Sequence, residues 1–216
     1  LQAISYYFLL TALALIASGY LLSRLKAPPL STVESVVLAS IAWPLISFEA
    51  SIPLMLSLKL DFVDAFFESV SGFTGTGFTV LRGLDFVKPS IIMWRSIMQW
   101  SGELGIVVFA MILFPYFYRY GARVYGLERP LKIEASFYRT AQRIASTYFI
   151  LTLVGIIACV YTGMTLYEAV NHTLVGIATG GIPMYDEGYE RVFQRAPYTY
   201  APIMALMFLG GMNFVV

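Results

Sequence analysis

The 216-residue chain is 58% hydrophobic and 12% charged, about half the charged fraction of an ordinary soluble domain. Its net charge of +1 gives no support for a nucleic-acid partner, and a single cysteine, Cys159, with a single histidine, His172, excludes a disulfide framework or a metal cluster. Several apolar stretches reach the ~20 residues needed to cross a bilayer, so the class is an all-α membrane protein.

Taken in order, Tyr6 to Leu22 is a first span, closed by Ser23-Arg24-Leu25-Lys26 and the turn Pro28-Pro29; residues 1–32 form this helix and turn. Leu1 opens the chain beside a span, without a basic leader region or an initiating methionine, so the numbering is expected to start inside a longer protein. Val33 to Leu58 is a second span, with Glu34 suited to the positive end of its helix dipole. Pro44 and Pro53 are expected to kink it. Ser90 to Tyr118 is a third, with Trp94, Trp100 and Pro115-Tyr116-Phe117-Tyr118 as interfacial anchors. Residues 119–143 form a polar, basic linker. Ile144 to Tyr161 is a fourth span, Thr165 to Met184 a short glycine-bearing segment, and Asp186 to Arg195 a charged, exposed stretch. Tyr200 to Val216 starts a fifth span and stops without a capping signal, as a truncated helix would.

Between spans two and three lies Asp61 to Leu81, DFVDAFFESVSGFTGTGFTVL. Its first half has apolar residues at helical spacing; from Phe73 on, Gly75 and Gly77 interleave with Thr74, Thr76 and Thr79 and predict extended backbone. A half-helix and a glycine-threonine strand between two spans is the layout of a re-entrant pore loop. Such backbone is tolerated at membrane depth only where it is buried in protein or lines a water-filled path. The plainer alternative is a polar outer loop.

The segment recurs. Sliding the chain by 104 residues sets Ala65 on Ala169, Gly72 on Gly176, Gly77 on Gly181 and Asp64 on Glu168. Phe66, Val70, Phe73 and Phe78 fall on Val170, Leu174, Ile177 and Ile182. A slide of 108 sets Gln99–Gly105 on Met207–Asn213, with Gly102 on Gly210. The chain is therefore two span–pore-loop–span units, residues 33–118 and 144–216, of the four that a carbonyl ring around a cation requires. The other two follow in a longer chain or come from another one. Charge bias orients the units. Arg24, Lys26, Arg119, Arg123, Arg129, Lys132, Arg139 and Arg143 lie on one side, against Lys59, Arg82, Lys88, Arg191 and Arg195 on the other. The 119–143 linker is then cytoplasmic, and both loops enter from outside.

Gly77 and Gly181 are the leading site residues, because a backbone that must present carbonyls favours residues without a Cβ. Thr74, Gly75, Thr76 and Phe78, with Ala178, Thr179, Gly180 and Ile182, complete a candidate cation filter; Thr76 and Thr79 have local backbone bonding as their alternative. Asp61, Asp64, Glu68 and Glu168 read either as helix caps or as negative charge at a cation path. Arg95 and Glu103 sit within span three, too far apart along the helix for a direct salt bridge. Arg95 is expected to snorkel toward the outer interface. Glu103 must face protein or water, as a pore or interface charge. Cys159 and His172 read as packing residues, and a proton relay is the other reading of His172. No serine–histidine or paired-aspartate arrangement on neighbouring spans points to an enzyme.

These residues carry a family resemblance. Asp64-Ala65, Phe67-Glu68, Ser71-Gly72-Phe73-Thr74, Thr76-Gly77, Trp94-Arg95, Gln99-Trp100, Gly102 and Leu104-Gly105-Ile106 resemble the first pore loop and following helix of the Trk/Ktr/HKT superfamily of potassium transporters. Asn171-His172, Ala178-Thr179-Gly180-Gly181 and Phe208-Leu209-Gly210-Gly211-Met212-Asn213 are similar to its second unit. Two positions depart from the pattern: Gly75 stands where threonine is common, and Glu103 where glycine is usual. The resemblance implies four units around one pore in the plasma membrane, a homodimer, and gating by a cytosolic nucleotide-binding subunit. It implies potassium as the transported ion, glycine at the Gly77 position going with potassium preference, and no cofactor. Channel-like potassium uptake is the first expectation, and symport of potassium with sodium or protons the alternative.

Overall fold

The structure, a computed structural model, describes residues 2–24, 31–105 and 134–212. Among these it is helical with no strand. Helix α1 (Gln2–Ser23) leads to α2 (Thr32–Leu58), whose start is fixed by a capping box between Ser31 and Glu34. The Ser31 backbone N–H, then its hydroxyl, holds the Glu34 carboxyl below its ordinary range. Helix α2 runs unbroken past Pro44 and Pro53. It ends at Lys59 in the left-handed conformation, φ 54°, and Asp61 caps α3 (Phe62–Phe73) two residues on. So tight a turn sends α3 back alongside α2.

Helix α3 has 12 residues, roughly 18 Å of axis, against ~30 Å of hydrocarbon. It is a half-helix. Non-helical backbone from residue 74, a short 3-10 turn (Leu84–Phe86) and α4, described over residues 89–105, complete the first unit. The second unit repeats the order with α5 (Glu134–Tyr161), α6 (Leu166–Ile177), a loop containing the short helix α7 (Glu190–Arg195), and α8 (Tyr200–Gly210). Tyr6–Ser23, Val36–Leu58 and Arg139–Tyr161 are long and apolar enough to cross a membrane.

Each unit has its own core. Ala50, Leu54, Ala65, Phe73, Ile91 and Met98 fill the first; Cys159, Ala169, Ile177, Ile203 and Leu206 lie in the second. Leu84, Ile92 and Met184 form a third cluster that joins the loops of the two units. Lipid is as apolar as these side chains, so close packing and polar contacts must hold such helices together. The repeat supplies the packing. A Cβ on Gly102 would lie 2.1 Å from the Phe73 carbonyl oxygen, and one on Gly210 would lie 2.0 Å from that of Ile177. In both units a glycine thus lets the helix that follows the loop touch the carboxyl end of the half-helix. Polar contacts join the units: Ser96 Oγ donates to Asn171 Oδ1 (2.9 Å), Trp100 Nε1 to Thr152 Oγ1 (3.0 Å) and Tyr148 OH to the Trp100 carbonyl (3.2 Å).

Three sequence expectations change. Helix α5, described from Glu134, takes in ten residues expected in the linker, a stretch that holds neither glycine nor proline; residues 119–133 lie outside the described residues. Trp94 and Trp100 are not interfacial anchors: the Trp94 indole donates to the Ala50 carbonyl (3.0 Å), and Trp100 bonds to α5. Pro115 to Tyr118 and the truncated end of the fifth span, from Asn213, also lie outside the described residues. The stretch Asp186 to Arg195 is not simply solvated, since Val192 is buried in the second core and Arg195 pairs with Glu168.

Gly102→Ala and Gly210→Ala should each destabilise the protein by about 1–3 kcal/mol through overpacking against backbone. Gly19→Ala, with nothing within 4 Å of the new methyl, should not. Thermal unfolding in detergent, followed by loss of the monodisperse species, checks the ordering; equal midpoints for all three would contradict it.

Candidate functional site

The site is the pair of segments that leave the half-helices, and both leave in the same way. After α3, Thr74 stays right-handed (φ −84°) and Gly75 turns left-handed (φ 64°); the Gly75 N–H donates to the Gly72 carbonyl (3.2 Å) and the Thr76 N–H to that of Ser71 (3.1 Å). After α6, Ala178 stays right-handed (φ −74°) and Thr179 turns left-handed (φ 48°); Thr179 N–H donates to Gly176 (3.2 Å) and Gly180 N–H to Val175 (3.2 Å). Each is a Schellman cap, which uses the otherwise orphaned carbonyls of a helix end. Gly75 therefore occupies a position that requires positive φ, whereas a β-branched residue in its copy is strained.

Two residues further on, Gly77 (φ 80°) and Gly181 (φ 77°) are left-handed again. They face each other: a Cβ on Gly77 would lie 2.9 Å from the Gly180 oxygen and 3.3 Å from the Gly181 Cα, and one on Gly181 would lie 3.4 Å from the Gly77 Cα. The strands are held from behind by side chains. Ser71 Oγ donates to the Phe78 carbonyl (2.6 Å), which turns that oxygen toward α3. Gln99 Oε1 accepts from Ile182 N–H (2.9 Å), and a Cβ on Gly180 would lie 2.3 Å from that same Oε1. Thr74 and Thr76 share a hydroxyl contact at 2.7 Å. The flanks differ: Phe78 is 67% exposed and Ile182 1%, so the first segment is open at the position where the second is packed.

Acidic residues divide by role. Asp61 is the N-cap of α3, accepting from Asp64 N–H (2.9 Å), and Asp64 sits in the first turn. Glu168 closes the capping box of α6 with Thr165 and also accepts from Arg195 Nη2 (2.6 Å) and Tyr185 OH (3.0 Å). Burial pushes the Glu168 carboxyl up, but Arg195, Thr165 and Tyr185 together bring it down to about 2. Glu68 is no mouth charge. It is fully buried, and its Oε1 accepts from the Thr79 hydroxyl (2.5 Å) and the Val80 (2.6 Å) and Leu81 (3.3 Å) N–H groups. Arg95 does not snorkel; it is 1% exposed and donates from Nε to Glu68 Oε2 at 3.3 Å. Glu103 is half-buried on α4, within electrostatic reach of Tyr148 on α5. His172, at the repeat position of Glu68, is buried against the Tyr189 ring (4.8 Å between centroids), and its Nε2 has no protein partner among the described residues.

Sequence reasoning missed the Glu68–Arg95 pair, since the two residues are 27 apart on different elements. It also missed the Gln99 and Ser71 contacts. Glu49, within α2, went unremarked; its Oε2 accepts from Ser18 Oγ of α1 at 3.4 Å. An acid inside an apolar run was the available signal.

Duplicated spans, each followed by a half-helix and a glycine-bearing segment, define a membrane protein of the pore-loop transport class. The chain belongs to the TrkH family of cation transport proteins, whose family model matches residues 4–216. It is 31% identical over 210 residues to an uncharacterised cation transporter of Methanocaldococcus jannaschii, covering 94% of this chain and 43% of that protein. It is 29% identical to the Trk system potassium uptake protein TrkH of Escherichia coli (89% and 41%) and 33% identical to that of Halomonas elongata (77% and 36%). The fold matches the crystal structure of the potassium transporter TrkH from Vibrio parahaemolyticus with a TM-score of 0.76, at 24% identity, over 98% of this chain and 44% of that one. The chain thus spans about two fifths of its relatives' length.

Gly75→Ala should lower stability by about 1 kcal/mol, the scale of a side chain forced into the left-handed region, while Thr179→Gly should cost nothing or raise it. Unfolding midpoints of the two variants give the comparison; a stable Gly75→Ala with an unstable Thr179→Gly would contradict the assigned strain.

Proposed function

We propose that the chain supplies two quadrants of a potassium-conducting pore in the plasma membrane. The observation that carries this reading is the facing pair Gly77 and Gly181, both left-handed at matching repeat positions, with Gly77 too close to the Gly180 oxygen to admit a side chain. Backbone carbonyls arranged around an axis can replace the hydration shell of a monovalent cation. Residues 74–78 and 178–182 are the filter segments in this reading. The Phe78 carbonyl, bound by Ser71, is the least available of them. Helices α3 and α6 lend support: neither has a basic residue in its last turn, so each carboxyl end keeps its partial negative charge for a cation. The open position at Phe78 of the first strand suits further strands completing a ring. The names of the relatives supply potassium as the ion and a Trk system as the setting. A homodimer and a cytosolic nucleotide-binding regulatory subunit, docked near the basic 119–143 linker, complete the proposal.

Gly77→Ser adds a Cβ where the Gly180 oxygen stands at 2.9 Å and should weaken discrimination of potassium from sodium. Reversal potentials in mixed potassium and sodium read this directly, and an unchanged permeability ratio would remove Gly77 from the filter.

Glu103 we assign to the crevice between α4 and α5, as a charge that raises local cation concentration. Glu103→Gln should then lower potassium flux at low potassium, with expression intact and saturating flux unchanged. Equal flux across the whole concentration range, with a harmless Glu103→Gly, would make it a packing substitute for glycine.

A further inference from the structure

We propose that Arg95 is a positioning residue that ties the two glycine strands to each other, and that the Glu68–Arg95 pair thereby sets ion selectivity. The inference rests on the pore reading above. Its basis is where the guanidinium ends up. Nη2 donates to Thr79 Oγ1 at 2.8 Å and Nη1 to the Pro183 carbonyl at 3.4 Å. Thr79 and Pro183 are repeat mates, 104 residues apart, each two residues beyond its strand's left-handed glycine. One planar group on the first unit's α4 therefore touches the same position on both strands. Glu68 holds the other edge of that group at Nε, 3.3 Å away, and carries strand one on its second oxygen through Thr79, Val80 and Leu81.

A guanidinium presents its donors in a fixed plane, so its three acceptors are held at a fixed mutual spacing; a lysine ammonium is a point charge on a flexible stem and cannot do this. Carbonyl selectivity depends on the spacing and field of the carbonyls, and a brace behind the strands acts on both.

The second unit argues against a purely structural role. The repeat positions of Glu68 and Arg95 there are His172 and Ile203, both buried. The same half-helix, cap and strand thus form without an ion pair at those positions, the second unit's Glu168–Arg195 pair lying at the opposite end of its half-helix from the strand, in the first turn. This is in keeping with the rule that a buried pair is often no more stabilising than apolar residues of similar volume. Side chains of the second unit do reach the first, as Tyr148 does to Trp100 and Tyr167 to the Pro89 carbonyl, but these contacts lie on helices and loops away from the Thr79 and Pro183 positions. Arg95 reaches both of those positions.

The test uses the full protein in proteoliposomes, with folded abundance and thermal midpoint measured beside the potassium-to-sodium permeability ratio. Two variants carry it: Arg95→Lys, which keeps the charge and loses the fork, and Glu68→His with Arg95→Ile, which installs the second unit's residues. Both should accumulate as folded protein and lower the ratio by roughly tenfold, the scale of one lost charge-assisted hydrogen bond. Loss of folded protein in both, or a normal ratio in the surviving protein, would reduce the pair to a fold element and overturn the inference. Gly77→Ser in parallel separates the two readings. If Gly77→Ser lowers the ratio and the pair variants do not, this inference alone fails; if Gly77→Ser is silent, the pore reading fails first.

Discussion

Backbone that is neither helix nor sheet cannot lie at membrane depth unless its N–H and carbonyl groups find partners inside the protein. The rest of this structure follows from meeting that demand twice. Each half-helix ends in a Schellman cap that uses its own last carbonyls. Beyond the caps, side chains take over. Glu68 receives two backbone N–H groups of strand one, Ser71 engages its Phe78 carbonyl, and Gln99 receives the Ile182 N–H of strand two. In the proposed filter, the carbonyls left without such partners are the ones that a dehydrated cation would use. Holding one edge of the strand tightly is thus the condition for leaving the other edge free.

The two units reach one backbone by different chemistry. Gly75 and Thr179 share a left-handed conformation, although only glycine adopts it without strain. The trace of strand two is therefore imposed by its surroundings, with Ile182 buried and Gln99 pressed against Gly180. Strand one is open at Phe78 and is held by charge, through Glu68 and Arg95. Packing fixes one strand and an ion pair fixes the other.

The architecture was legible in the sequence because it is repeated. Hydrophobic runs of spanning length, half-length segments between them and glycines at shifts of 104 and 108 gave element order without any contact information. The paired glycines Gly102 and Gly210 even pointed at contacts, since only a small residue admits a carbonyl at 2 Å from a virtual Cβ. Side-chain partners across elements were not legible. Arg95 looked like a residue near a helix end, and only the fold brings Glu68 up behind it. Glu68 looked like one acid among four in the half-helices, yet it alone is fully buried in the first of them. Sequence spacing gives the face of one helix but not what another helix sets against it. The Trp94 and Trp100 indoles were misread for the same reason, since an indole donor serves an interface with lipid or with protein equally well.

The asymmetry between the units bears on how such a pore tolerates sequence change. Were all strands of the proposed pore held by identical side chains, a single loss would recur around its ring, and symmetric weakening would be felt at every carbonyl. Here the brace lies off the repeat: Arg95 has Ile203 as its counterpart, and Glu68 has His172. The second strand can drift in sequence, even to a threonine in the left-handed region, so long as packing holds it and the first unit reaches across. The first strand has less freedom, because its open position at Phe78 offers no packing to replace the charge. Constraint should therefore concentrate in Glu68, Thr79 and Arg95 more than in any residue of the second loop except Gly181, whose left-handed φ of 77° favours glycine.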